Sequence, residues 1–138
     1  MECWCGGKSP HAAARIGRRE MAQLRILIVD DNAVIGALIA EMLESLGHLV
    51  CGVAGTEHAA VVTAHIQKPD LMIVDMRLGA GSGAAAMTQI LRIGPMPHVF
   101  ISGAGMESAT RGATILRKPF GMAELVIAMD EALNNTRA

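Results

Sequence analysis

The sequence predicts an α/β protein built on a doubly wound sheet of five parallel strands. Three observations lead to that expectation. Ile26-Leu27-Ile28-Val29 and Leu71-Met72-Ile73-Val74 are unbroken apolar runs, the pattern of strands buried on both faces. Segments whose apolar residues recur every three or four positions lie between them, the pattern of amphipathic helices. The two kinds of segment alternate, and because each crossover must return the chain to the same end of a parallel sheet, helices cover both faces.

Residues 1 to 22 precede the pattern; they hold Gly6-Gly7, Pro10 and the cluster Arg15, Arg18 and Arg19 without sustained periodicity. They are expected to be a flexible tail or a leader, with Met21 a candidate natural start, and residues 23 to 138 to form the domain. The first strand starts near Arg25 and stops at Asp30 and Asp31. Asn32 then caps a helix of about four turns, whose apolar positions Val34, Ile35, Leu38, Ile39, Met42, Leu43 and Leu46 run up to Gly47. A second strand is expected at Leu49 to Val53, a helix from Thr56 to about Gln67, and a third strand at Leu71 to Val74 that again ends in an aspartate, Asp75. The Gly-rich loop Gly79 to Gly83 leads into a helix ending near Ile93. Strands near Val99 to Ile101 and Thr114 to Leu116 follow, and a helix from about Met122 to Asn134 closes the chain. Gly103 to Gly112 is rich in small residues without an amphipathic period, so the fourth helix is expected to be short or irregular.

A chain of 138 residues can bury a core without disulfides or a structural metal, and one domain with no separate output domain is expected. A net charge of −1 supplies no overall field towards nucleic acid or anionic lipid, so neither is an expected partner. No apolar run reaches the roughly 18 residues of a membrane span or resembles a signal peptide, which leads to the expectation of a soluble cytoplasmic protein. Cys3, Cys5 and Cys51 are expected to be ordinary reduced thiols. The many methionines read as core filler, and His48, His58, His65 and His98 as surface or turn residues.

Three aspartates stand at or just past the ends of two strands, Asp30 and Asp31 after the first and Asp75 after the third. In a doubly wound sheet these ends are neighbours, and ligands bind just outside them. Carboxylates so close repel one another, raise each other's pKa and call for a hard cation such as Mg²⁺. A single aspartate after a strand is often only a helix cap or turn residue, but three at converging ends favour a metal site. Lys118, before Pro119, follows the fifth strand and can reach the same edge, although a Lys-Pro pair alone is usually a surface turn. Ser102 ends the fourth strand; Gly103 lets the backbone approach a ligand while the hydroxyl donates, although a Ser-Gly pair alone means only a turn. Together these groups describe a phosphoryl-transfer site, with a carboxylate nucleophile, a divalent cation, and a lysine and a hydroxyl for the phosphate oxygens.

At Ile28-Val29-Asp30-Asp31, Ile73-Val74-Asp75-Met76, Ile101-Ser102-Gly103 and Arg117-Lys118-Pro119-Phe120 the chain resembles the response-regulator receivers of two-component signalling, over about residues 23 to 136. The resemblance implies a flavodoxin-like sheet of order 2-1-3-4-5 and Asp75 as phosphoacceptor. It implies that Asp31, Asp75 and the backbone carbonyl of Arg77 bind Mg²⁺ directly, that Asp30 helps through a water, and that Ser102 and Lys118 bind phosphoryl oxygens. A cis peptide between Lys118 and Pro119 is implied as well. The implied function is that of a single-domain switch or phosphorelay intermediate. A sensor histidine kinase, a histidine phosphotransfer protein or a small phosphodonor would phosphorylate it, and a downstream protein would read it. A monomer or weak homodimer is expected, with no enzymatic activity beyond self-catalysed phosphotransfer and slow autodephosphorylation.

The chain departs from the family pattern in its later half. Fifteen residues separate Ser102 from Lys118, fewer than usual, and Ile115 stands where many members carry an aromatic ring that couples to a hydroxyl shift. Phe100-Ile101-Ser102-Gly103 is similar to a stand-alone group with a Phe-Ala-Thr-Gly-Tyr signature, with Ala104 in place of the tyrosine. These departures concern the readout more than the pocket. Among rival readings, Gly79-Ala80-Gly81-Ser82-Gly83-Ala84 fits a dinucleotide-binding pattern. It starts four residues past the strand, however, and no acidic residue between Ala84 and Met106 could bind a ribose. A metal-dependent phosphohydrolase would call for an Asp-x-Asp spacing that Asp30-Asp31-Asn32 lacks. A phosphorylation-independent receiver serving as a protein-interaction module is the remaining alternative, against which Asp75 and Lys118 weigh.

Overall fold

The computed structural model describes residues 22–103 and 113–137. In chain order the elements are β1 (Arg25–Val29), α1 (Ala33–Ser45), β2 (Leu49–Ala54), α2 (Glu57–Gln67), β3 (Leu71–Asp75), β4 (Arg77–Leu78), β5 (Gly81–Ser82), α3 (Gly83–Leu91), β6 (His98–Ser102), β7 (Ile115–Arg117) and α4 (Met122–Arg137). Five strands form a parallel sheet in the order β2-β1-β3-β6-β7, which is the expected doubly wound order once the short β4 and β5 are set aside. Those two pair antiparallel, β4 just before the expected Gly-rich loop and β5 inside it; at two residues each they are too short for any period to announce them. The expected short fourth helix, and the tail with Cys3 and Cys5, lie outside the described residues.

The alternation of side chains along β1 divides the core in two. Ile26 and Ile28 pack with Ile39 and Leu43 of α1 and with Leu125 and Met129 of α4. Leu27 and Val29 face the other way, onto Ala60 and Ala64 of α2 and Ala86, Met87 and Ile90 of α3. Each large aliphatic side chain withdrawn from water here stabilises the fold by roughly 1.5–3 kcal/mol. The buried stripe of α1 is narrower than its sequence pattern: Val34 and Leu38 remain 68% and 52% exposed, because the helix meets the sheet along one side only. No helix among the described residues is long and apolar enough to cross a membrane.

Local chemistry sets the element ends. The Asn32 side chain accepts from the N–H groups of Val34 and Ile35 at 2.9 and 3.1 Å, and Thr56 and Ser82 cap α2 and α3 in the same manner. Gly47, at φ 95°, reverses the chain after α1. Within β2 the pairing slips: Ile26 faces Val50 and Leu27 faces Gly52, leaving Cys51 as the extra residue of a bulge. The Cys51 thiol is free, and burial pushes its pKa up, as suits an unreactive thiol.

Two histidines correct the sequence reading. His98 is no solvated turn residue: its Nδ1 lies 2.7 Å from the Met96 carbonyl and its ring meets Phe100 edge to face. His48 is buried, and its Nδ1 accepts the backbone N–H of Leu24 at 3.1 Å, so a residue read as polar surface tethers the entrance to β1. Burial holds the His48 imidazole below its ordinary pKa. The unfolded chain therefore takes up the proton first, so this contribution to stability is complete above the unfolded value of about 6.5 and declines as the pH falls towards the folded one. Urea midpoints should fall as the pH is lowered from neutral, and His48→Gln should flatten that slope. An unchanged slope in the variant would assign the acid sensitivity to other groups.

Candidate functional site

Adjacent parallel strands bring the aspartates together. Val29 of β1 is in register with Val74 of β3, so Asp30 and Asp75 leave the sheet side by side. Asp30, Asp31 and Asp75 each offer an oxygen, and the three lie within 4.8 Å of one another. On the far side of Asp75, the Lys118 N–H donates to the Ser102 carbonyl at 2.9 Å, continuing the β6–β7 pairing. The Lys118 ammonium lies 3.6 Å from Asp75 Oδ2, and the Lys118–Pro119 peptide is cis. Above these groups opens a cleft of about 600 Å³ lined by Asp31, Asp75, Arg77, Gly79, Gly103 and Lys118 among others.

The carboxylates are not equivalent. Asp31 is exposed, whereas Asp30 is 3% and Asp75 9% exposed. Asp75 Oδ1 accepts the Arg77 N–H at 3.1 Å, and its Oδ2 faces Lys118. Asp30 Oδ1 accepts the Asn32 N–H at 2.8 Å, while its Oδ2 is buried with no hydrogen-bond partner. Burial raises the Asp30 pKa; the Asn32 hydrogen bond opposes the rise, the Asp75 charge adds to it, Lys118 opposes it and Asp31 adds again. A buried carboxylate oxygen without a partner is unfavourable, and a bound cation or its water would satisfy it. The all-oxygen donor set of three carboxylates, with Arg77 also lining the cleft, fits Mg²⁺.

Ser102 reaches the same edge at the end of β6, but it is buried and its hydroxyl donates to the Gly103 carbonyl at 2.8 Å. The structure therefore gathers Asp30, Asp31, Asp75, Arg77 and Lys118 around the cleft, and sets Ser102 beside them with its hydroxyl turned to its own backbone.

The glycines after β3 have steric roles that their spacing did not reveal. Gly79, at φ 53°, lies against Asp31; a Cβ there would sit 3.5 Å from Asp31 Oδ2. At Gly83 a Cβ would collide with the Asp75 carbonyl oxygen and the Val74 side chain. The run that fits a dinucleotide pattern is thus explained at Gly83 by the close seating of α3 on β3. A small residue at the start of α3, next to the candidate nucleophile, was the available signal.

Comparison with known proteins agrees with this fold. A family model for the response regulator receiver domain matches residues 26–130. The transcriptional regulatory protein PdtaR of Mycobacterium tuberculosis is 31% identical over 119 residues, a stretch covering 82% of this chain and 58% of that protein. Among solved structures, the response regulator PhyR from Brucella abortus superposes with a TM-score of 0.76 at 30% identity, covering 91% of this chain and 53% of that one. The isolated receiver domain of PhyR from Erythrobacter litoralis gives 0.73 at 27% identity, covering 82% and 92%. The chain spans about half the length of the curated relatives it matches.

Proposed function

Because this chain belongs to the response-regulator receiver family, we propose that it is a signalling switch that accepts a phosphoryl group on Asp75. The donor is a sensor histidine kinase or a histidine phosphotransfer protein, and a downstream protein reads the result. The observation that carries this reading is the Asp75 carboxylate, gathered with Asp30 and Asp31 and lying 3.6 Å from the Lys118 ammonium in an open cleft.

An oxygen of Asp75 attacks the phosphorus in line; a P–O bond to Asp75 forms as the bond to the donor's nitrogen or acyl oxygen breaks, and the electron pair leaves with the donor. The Arg77 N–H holds Asp75 Oδ1 and orients the carboxylate. Lys118 supplies fixed positive charge where phosphoryl oxygens arrive. Ser102 exchanges its bond to the Gly103 carbonyl for one to a phosphoryl oxygen. Asp31, Asp75 and the Arg77 carbonyl would hold Mg²⁺, with Asp30 assisting through a water, and the ion would supply positive charge to offset that of the phosphoryl group. Water attack on the acyl phosphate slowly returns the switch to its resting state.

The test is the intact mass of the protein after incubation with acetyl phosphate, with and without Mg²⁺. A single Mg²⁺-dependent phosphoryl adduct supports the reading. No adduct from acetyl phosphate or from a phosphorylated phosphotransfer protein would leave a phosphorylation-independent interaction module. Lys118→Ala separates the cation roles: labelling should slow by roughly a hundredfold to a thousandfold as one charge-stabilising donor is lost, while Mg²⁺ affinity measured by calorimetry holds or rises. Labelling of this variant at the wild-type rate would remove Lys118 from the site.

A further inference from the structure

The cleft is also braced from α2. Glu57, the first residue of α2 behind the Thr56 cap, extends its carboxylate to the β4–β5 ladder, where Oε2 accepts the Ser82 N–H at 2.7 Å. The carboxylate fills the space beside Gly81, where any Cβ would collide with it. Ser82 is in register with Arg77 across the ladder, and the Arg77 N–H donates to Asp75 Oδ1 at 3.1 Å. Gly79, in the turn joining β4 to β5, lies against Asp31. Glu57 is not part of the carboxylate group that could itself hold a cation.

We propose that Glu57 is a positioning residue for the cation site, holding the β4–β5 ladder so that Arg77 and Gly79 stay at the Asp31–Asp75 cleft. The proposal rests on the reading of that cleft as a Mg²⁺-binding phosphoryl-transfer site. A ladder of two residues on each side, with glycine at 79 and 81, has little stability of its own, so its position depends on what ties it down. A carboxylate accepting a backbone N–H is among the stronger available ties, and Glu57 is anchored at the N-terminus of an eleven-residue helix. The contact links residues 25 apart in sequence and connects the α2 side of the fold to the Asp75 side.

Calorimetric Mg²⁺ titration of the full chain tests this, alongside labelling by acetyl phosphate at low and saturating Mg²⁺. Glu57→Ala should weaken Mg²⁺ binding roughly tenfold, as loss of outer partners of a metal site does. Its labelling should be slow at low Mg²⁺ and recover at saturation, a split that a general loss of stability would not produce. Glu57→Gln keeps an oxygen acceptor for Ser82 and should restore most of the affinity; Glu57→Asp keeps the charge but shortens the reach and should not. Wild-type Mg²⁺ affinity in both the alanine and aspartate variants would overturn the proposal. A wild-type protein that neither binds Mg²⁺ nor takes the label would instead overturn the reading of the cleft, and the positioning role with it.

Discussion

Asp75→Ala is expected to take no phosphoryl group from acetyl phosphate under conditions in which the wild type is labelled stoichiometrically, with intact mass as the readout. The reason is the arrangement around Asp75. It stands at the end of a fully buried strand, its Oδ1 is held by the Arg77 N–H, and its Oδ2 faces Lys118. Asp30 has one oxygen held by Asn32 and the other buried, so it is poorly placed to substitute. Loss of the label should not reflect unfolding, because removing one of three clustered carboxylates relieves repulsion. The variant should therefore unfold in urea at or above the wild-type midpoint when Mg²⁺ is absent. An adduct of wild-type stoichiometry on the variant would place the acceptor elsewhere, with Asp31 the first residue to test.

Gly83→Ala is expected to destabilise the fold by about 2–3 kcal/mol, the upper range for forcing a methyl group into a packed interior. The added Cβ would meet the Asp75 carbonyl oxygen, which is backbone and cannot turn aside, and the Val74 side chain. Gly83 also donates its N–H to the Met76 carbonyl at 3.0 Å, so the start of α3 has no free direction in which to retreat. The better helix propensity of alanine recovers up to about 1 kcal/mol and does not offset the collision. Urea unfolding gives the value directly. A variant as stable as the wild type would mean that α3 can lift from β3, and that the close approach is not needed to hold Asp75.

Much of the candidate site is legible in the sequence. Wholly apolar runs announce buried strands wherever they fall, so the positions of Asp30, Asp31 and Asp75 at strand ends could be read from the chain. The grouping of three carboxylates, a lysine and a strand-end serine at one edge of the sheet followed from the alternation of elements. The state of each group did not follow. The orphaned oxygen of Asp30 depends on burial by neighbouring segments, and the bond from the Ser102 hydroxyl to the Gly103 carbonyl has no signature in the sequence pattern. His48 gave no sign of its role, since the group it serves, the Leu24 N–H, is 24 residues away.

By itself the sequence determined what is local. The unbroken apolar runs, the period of three to four, the caps at Asn32 and Thr56, the stop at Gly47 and the aspartates closing two strands are each properties of a few neighbouring residues. The tertiary structure decided what depends on distant segments meeting: the exposure of Val34 and Leu38, the bulge at Cys51, the seating of Gly83 on the Asp75 carbonyl, and the reach of Glu57 to Ser82. Hydrophobic periodicity sorts residues between core and solvent within one element. Contacts of a carboxylate or a glycine with a partner elsewhere arise only when the parallel sheet sets those elements side by side.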